Sequence, residues 1–333
     1  MRVILAYKNF AIHKGISHIG LGVAGIHTAK TLRRAGVVAE VWPIVDANHL
    51  RMLVNLSRSR KDDPPITHVV VSAPWISSPS WLSLTQQFPD ITWAVNCHSN
   101  VGFLQADTNG TRLLREAMEV EKGNHNFHLA GNSLKFVTWI QDAFGVACAY
   151  LPNLYFLVGN EVPARRLWSG GPLRLGAFGA IRPLKNFLSA VGASIQLATQ
   201  LKTDTEIWVN SGRTEGGGHT VMSAARALIG GLPNIALREA PWASWPAFTR
   251  PVGNMHLLLQ PSYTESFNMV TADGIASGIP SVVSEAIDWV PKYWQAEVDD
   301  VNDITRVGRQ LLFDPVASKD GLEALRSYTR SGI

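Results

Sequence analysis

Short apolar runs recur along the chain, each rich in β-branched or aromatic residues and bounded by turn formers. In the first half they fall at 3–7, 39–44, 68–73, 91–97, 127–130 and 149–152. The segments between carry helical spacing, as in "GIHTAKTLRRAG" at 25–36, where Gly36 supplies a stop. Runs this short and continuous, alternating with helices, predict a parallel sheet covered on both faces. Pro, Gly and charge then interrupt every period across 153–175, the composition of an interdomain linker. The pattern restarts with strands at 173–178, 206–210 and 234–237, a helix over 186–201 and another from about 219. A last helix is expected over 319–329. The fold class this predicts is α/β, with two facing Rossmann-like doubly wound domains and a cleft between them. Their expected spans are 1–160 and 172–315, followed by a C-terminal helix in 316–333.

Residues 260–285, "QPSYTESFNMVTADGIASGIPSVVSE", sharpen the picture. An apolar run at 255–260 precedes a polar turn, a helix of about three turns, a Gly-Pro break and a second apolar run at 279–284. That is a βαβ unit. Glu265 falls where the strand ends, and Asp273 lies eight residues on. The spacing predicts both carboxylates on one helix face, beside a helix N-terminus suited to an anion.

Other motifs point the same way with less force. In "FGAIRPLKNF" (178–187), Arg182 and Lys185 put two cations at a strand-to-helix turn, the chemistry a diphosphate needs. Gly20, Gly22 and Gly25 form G-x-G-x-x-G, with Asp46 in place for the acid of a dinucleotide fingerprint. The fingerprint should follow its strand directly, whereas residues 8–19 intervene. A phosphate- or sugar-facing glycine loop and plain helix-start glycines both stay open. His98 sits just past a strand end, where α/β sheets bind ligands. The neighbouring Cys97 reads as buried and inert. The tryptophans of "EAPWASWPAF" (239–248) suit either a nucleobase edge or a core-filling loop, and the acids of 297–303 read as a solvated turn.

Composition changes little. Hydrophobic residues make up 46% of 333, as in a folded soluble protein. No apolar stretch approaches a membrane span or a leader peptide, and two cysteines make no disulfide framework, so a cytoplasmic location is expected. Residues 1–163 hold 14 Lys/Arg against 11 Asp/Glu, the remainder 16 against 15, so the small positive excess lies mainly in the first half.

These residues together resemble the GT-B-fold glycosyltransferases of the retaining, nucleotide-sugar-dependent type, over most of the chain. The resemblance is strongest in 260–285. "FGAIRPLKN" is similar to the family's phosphate element, "GLGVAGIHTAKTLRRAG" to its first glycine loop and helix, "CHSN" to its first-domain histidine and "YLPN" to its interdomain Pro-Asn. It implies that Glu265 contacts donor-sugar hydroxyls and that amides across Ser266, Phe267, Asn268 and Met269 cap phosphate. It further implies that Asp273 holds ribose hydroxyls, that Lys185 and Arg182 neutralise the diphosphate, and that Gly22 and His98 serve from the first domain. Three positions depart from the pattern: Asp273 where Glu is usual, Ala180 where Arg is usual, and Asn268 where Gly is usual. The implied enzyme is a metal-independent hexosyltransferase-like transferase with no cofactor and a UDP-sugar donor. Its acceptor is expected at the 8–20 loop (Lys8, His13, Lys14, His18) and is a modified base in DNA, a cell-envelope glycan or a small molecule. A duplex would also engage Arg58, Arg60 and Lys61. A nucleotide-sugar epimerase of the same fold and a non-catalytic nucleotide-binding module are the rival classes.

Overall fold

The computed structural model describes the chain apart from residues 10–19, 61, 160–162, 164–166 and 333. Contacts divide it into two units, Met1–Phe156 with Thr329–Ile333, and Leu157–Tyr328.

The first unit is built on β1 (Arg2–Lys8), β2 (Val38–Ile44), β3 (His68–Ser72), β4 (Thr92–Cys97), β5 (Phe127–Gly131) and β6 (Ala149–Tyr150). All pairs are parallel, in the order β2-β1-β3-β4-β5-β6. The crossovers are α1 (Gly20–Arg34), α2 (Ala47–Ser59), α3 (Ser78–Gln87), α4 (Val101–Leu104), α5 (Thr108–Gly123) and α6 (Leu134–Phe144). β1 is paired on both sides, by β2 and β3, which is why residues 3–7 are buried and read as one continuous apolar run. Trp81 of α3 fills the core, its ring 4.8 Å from Phe127 and edge-on. Local signals act as read: Gly36, at φ 84, follows α1, and Gly145 ends α6 at φ 61. Asp46 caps α2 by accepting the His49 N–H at 2.8 Å, an N-cap role in place of the fingerprint acid's.

The second unit has β7 (Leu173–Ala177), β8 (Thr205–Val209), β9 (Ile235–Glu239), β10 (Leu257–Gln260) and β11 (Ser281–Val283). Its helices are α7 (Phe187–Leu201), α8 (Gly218–Ile229), α9 (Trp245–Val252), α10 (Met269–Ala276), α11 (Val301–Phe313) and α12 (Ala317–Ser331), the last counted with this unit only as far as Tyr328. The parallel order β11-β10-β7-β8-β9 reverses direction between β7 and β10. That reversal leaves a crevice beyond the carboxyl ends of those two strands.

Two expectations are corrected here. The 239–248 segment is not all loop, since α9 starts at Trp245 with Pro246 in its first turn, where a missing N–H costs nothing. Nor is the acidic run 297–303 a simple solvated turn. Asp300 caps α11, accepting from Asn302 N at 2.8 Å and Asp303 N at 3.1 Å, so the acids begin a helix. Among the described residues, no helix is long and apolar enough to cross a membrane.

Candidate active site

The crevice of the second unit is built by three strand-end loops. After β7 the chain passes Gly179, at φ 115, and Ile181, which bridges to Thr214 in the loop after β8. Ile181 N donates to Arg213 O at 3.0 Å, and Glu215 N donates to Ile181 O at 2.8 Å. Gly218 passes so close to Ile181 O that a side chain there would collide. The two loops are therefore stitched together. A turn at Pro183–Lys185 follows, then Asn186 in the left-handed region (φ 52), and α7 begins.

The loop after β10 brings Glu265 against Lys185, and the two form an ion pair with side chains 8% and 17% exposed. Asn268 Nδ2 donates to the same Glu265 oxygen at 3.1 Å and to Gln260 Oε1 at 3.2 Å. Burial alone would raise the pKa of Glu265. Lys185, by charge and hydrogen bond, outweighs it with help from Arg182 and Ser262, so the carboxyl is held below its ordinary value. It is ionised at neutral pH. Arg182 reaches the group despite its two-residue offset. Its Nη1 lies 3.1 Å from Glu215 Oε2, and Glu215 also pairs with Arg213 at 2.5 Å. Among the described residues, these ion pairs bring three cations, Lys185, Arg182 and Arg213, to two carboxylates, Glu265 and Glu215.

The helix after this loop is shorter than expected, eight residues from Met269. Asn268 stands at φ 67, outside helical geometry, and caps α10 by accepting the Thr271 N–H at 2.9 Å. Asparagine is the non-glycine residue best suited to this conformation, so the turn keeps the backbone a glycine would give. As a result Glu265 and Asp273 do not share a helix face: Glu265 lies in the turn and Asp273 on α10. Asp273 is 2% exposed, and its Oδ1 accepts the Trp245 indole N–H at 3.0 Å. Phe267 turns inward and stacks on Trp289 at 5.0 Å. Ser266 and Met269 are half-buried on either side of Phe267 and Asn268. The break after α10 is as expected: Gly278 is at φ 77, and Ile279 N donates to Gly274 O at 2.8 Å.

In the first unit, His98 follows β4, with Nδ1 3.2 Å from Asn132 Nδ2 at the end of β5. Burial lowers its pKa to about 4, so the ring is neutral. Burial likewise pushes the Cys97 thiol up, as an inert cysteine requires. Gly20, Gly22 and Gly25 all lie inside α1, not in a loop. A Cβ on Gly22 would stand 2.9 Å from the Tyr7 ring, which makes it a close-packing glycine. Of the cations expected to meet a duplex, Lys8 lies over Trp75 at 5.5 Å, Arg58 pairs with Asp90 and Arg60 lies 4.0 Å from Asp63. His13, Lys14, His18 and Lys61 lie outside the described residues.

Arg213 and Glu215 were not singled out from sequence. The signal was present in "VNSGRTEGGGH", a glycine-rich run with both charges just past a strand end. Its link to Arg182 depends on β7 and β8 being neighbours.

No family model matches the chain, and no curated protein matches it in sequence. Solved structures do resemble it. Anabaena HepE, in complex with UDP and glucose, has a TM-score of 0.65 at 12% identity, covering 99% of this chain and 95% of that one. WaaG, a glycosyltransferase involved in lipopolysaccharide biosynthesis, has a TM-score of 0.60 at 14% identity, covering 99% and 95%. A variant of S. aureus TarM, in complex with Fondaparinux, alpha-GlcNAc-glycerol and UDP, has a TM-score of 0.58 at 13% identity. It is matched over 85% of this chain and 55% of its own, so the chain spans about half the length of TarM. At such identities the likeness establishes the fold: α/β, of the GT-B type, with two parallel-sheet units.

Proposed function

We propose that the chain is a retaining glycosyltransferase that binds a nucleotide-diphosphate sugar, a UDP-sugar in the first instance, at the β7–β10 crevice and transfers the sugar to a hydroxyl. The observation that carries this reading is the Glu265–Lys185 pair with Arg182 beside it, set before the N-terminus of α10. Glycosyl transfer is hard because charge separates: the departing diphosphate gains negative charge while the sugar becomes oxocarbenium-like. Preorganised cations and backbone dipoles aimed at that phosphate are worth several kcal/mol, and they need no metal to act. Glu265, ionised and held by Lys185, accepts hydrogen bonds from sugar hydroxyls. The bond from the anomeric carbon to the phosphate oxygen breaks as the acceptor oxygen bonds from the same face. The acceptor's proton passes to the departing phosphate, giving retention. The UDP bound in HepE and TarM supports the choice of donor.

A panel of nucleotide-sugars screened by thermal shift, followed by mass spectrometry of acceptors incubated with the best donor, tests the reading. The expected result is one stabilising donor and one acceptor heavier by its sugar. A donor inverted without acceptor would make the chain an epimerase, and a donor bound but never turned over would make it a binding module. The acceptor arm includes duplex DNA bearing a hydroxylated base, which must be flipped or otherwise accessible. Binding that falls with salt at a log–log slope of about −0.9 per phosphate, and weakens in Lys8→Ala, supports DNA. A shallow slope assigns the acceptor to a glycan or small molecule.

A further inference from the structure

Asp273 has surroundings ill suited to touching a ligand. It is 2% exposed in the middle of α10, which lies close on β10 because a side chain at Gly274 would strike Leu258. Its Oδ1 accepts the indole N–H of Trp245 at 3.0 Å. Trp245 is the first residue of α9, and the segment leading into it carries Trp242. The Trp242 ring centre lies 5.0 Å from the Arg213 guanidinium, and its backbone N leaves no room for a side chain on Gly212. Segment 240–245 is thus gripped at both ends, by Gly212 and Arg213 on one side and by Asp273 on the other. Arg213 in turn shares Glu215 with Arg182. An unbroken run of contacts leads from Asp273 to the cations of the crevice.

We propose that Asp273 is a positioning residue of the donor site, fixing Trp245 and through it Trp242 and Arg213, without itself contacting the donor. The inference rests on the nucleotide-sugar reading and refines it. Removing the acceptor of a buried hydrogen bond leaves the indole N–H unsatisfied, and a site is only as well ordered as the groups that support it. With the segment pinned, a flat ring stands beside a row of cations, an arrangement that fits a base joined to a diphosphate.

UDP, ADP and GDP are titrated calorimetrically into the wild type, and the tightest is carried to Asp273→Asn, Asp273→Ala, Trp245→Phe and the double variant Asp273→Asn/Trp245→Phe. Asparagine still accepts the indole N–H, so Asp273→Asn is expected to bind within about twofold of wild type, while Asp273→Ala and Trp245→Phe each lose about tenfold. The double variant should bind no worse than Trp245→Phe alone. It also replaces the carboxylate that Trp245→Phe strips of its indole partner, so a folding defect in that single variant does not obscure the result. A loss in Asp273→Asn equal to that in Asp273→Ala overturns the proposal, because the charge would then be contacting nucleotide. Wild-type affinity in both Trp245→Phe and Asp273→Ala overturns it as well. Failure of the wild type to bind any of the three nucleotides overturns the donor reading and this inference with it.

Discussion

At Glu265 two opposing effects meet: burial disfavours the carboxylate, and the adjacent Lys185 favours it by more. Its position past an apolar run made it readable from sequence, as did the positions of Lys185 and Arg182. Asp46 and Asp273 were harder, because a carboxylate's partner decides its role. Asp46 caps its own helix three residues on, while Asp273 meets an indole 28 positions away. Two buried histidines weaken the first unit in acid. His27, 3% exposed, accepts the Phe156 N–H at 3.1 Å and stacks on Tyr155, and burial, with Lys30 nearby, lowers its pKa to about 4. The unfolded chain therefore takes up a proton below pH 6.5 that the folded unit refuses until about pH 4. Stability is full above 6.5 and falls between these values, by up to about 3 kcal/mol for His27, and His98 acts in the same direction. Denaturant melts across that range should show a shallower pH slope in His27→Asn, which keeps an acceptor but does not titrate. An unchanged slope would remove His27 as a source.

Element by element, the strands were the most readable, since runs buried on both faces carry a strong apolar signal. α9 and α11 were not. α9 hides behind two prolines and α11 behind an acidic run, and each is recognisable only when Pro246 and Asp300 are seen as helix starts. The length of α10 was overread because Asn268 stands where glycine is usual, and its positive φ does not show in the letter. The glycines of α1 give an element-scale test. Alanine in place of Gly22 gains about 1 kcal/mol of helix propensity but overpacks against Tyr7, a 6%-exposed residue of β1, at about 1–3 kcal/mol. Thermal melts should therefore place Gly22→Ala below wild type, and Gly20→Ala, whose Cβ meets nothing within 4 Å, level with it or above. Equal midpoints for both variants would contradict the close-packing role.

For the whole molecule, the alternation of strands and helices implied two parallel sheets but not their order. Order is what makes the site: β7 and β10 are 80 residues apart at Lys185 and Glu265, yet they are adjacent in the sheet where its direction reverses. Long-range pairing of that kind leaves no local trace, which is also why the link of Arg213 and Glu215 to Arg182 was not legible. The central claim, that this crevice separates charge between a sugar and a nucleoside diphosphate, is tested most directly by turnover. With the donor from the screen at saturation, nucleoside diphosphate release and glycosylated acceptor are followed together in wild type and Glu265→Gln. The account predicts one nucleotide released per sugar transferred, with the anomeric configuration kept. It also predicts a fall of about 10- to 100-fold in Glu265→Gln, the worth of a hydrogen bond to a charged acceptor. Undiminished turnover in Glu265→Gln, or no nucleotide release from any donor by the wild type, would contradict it.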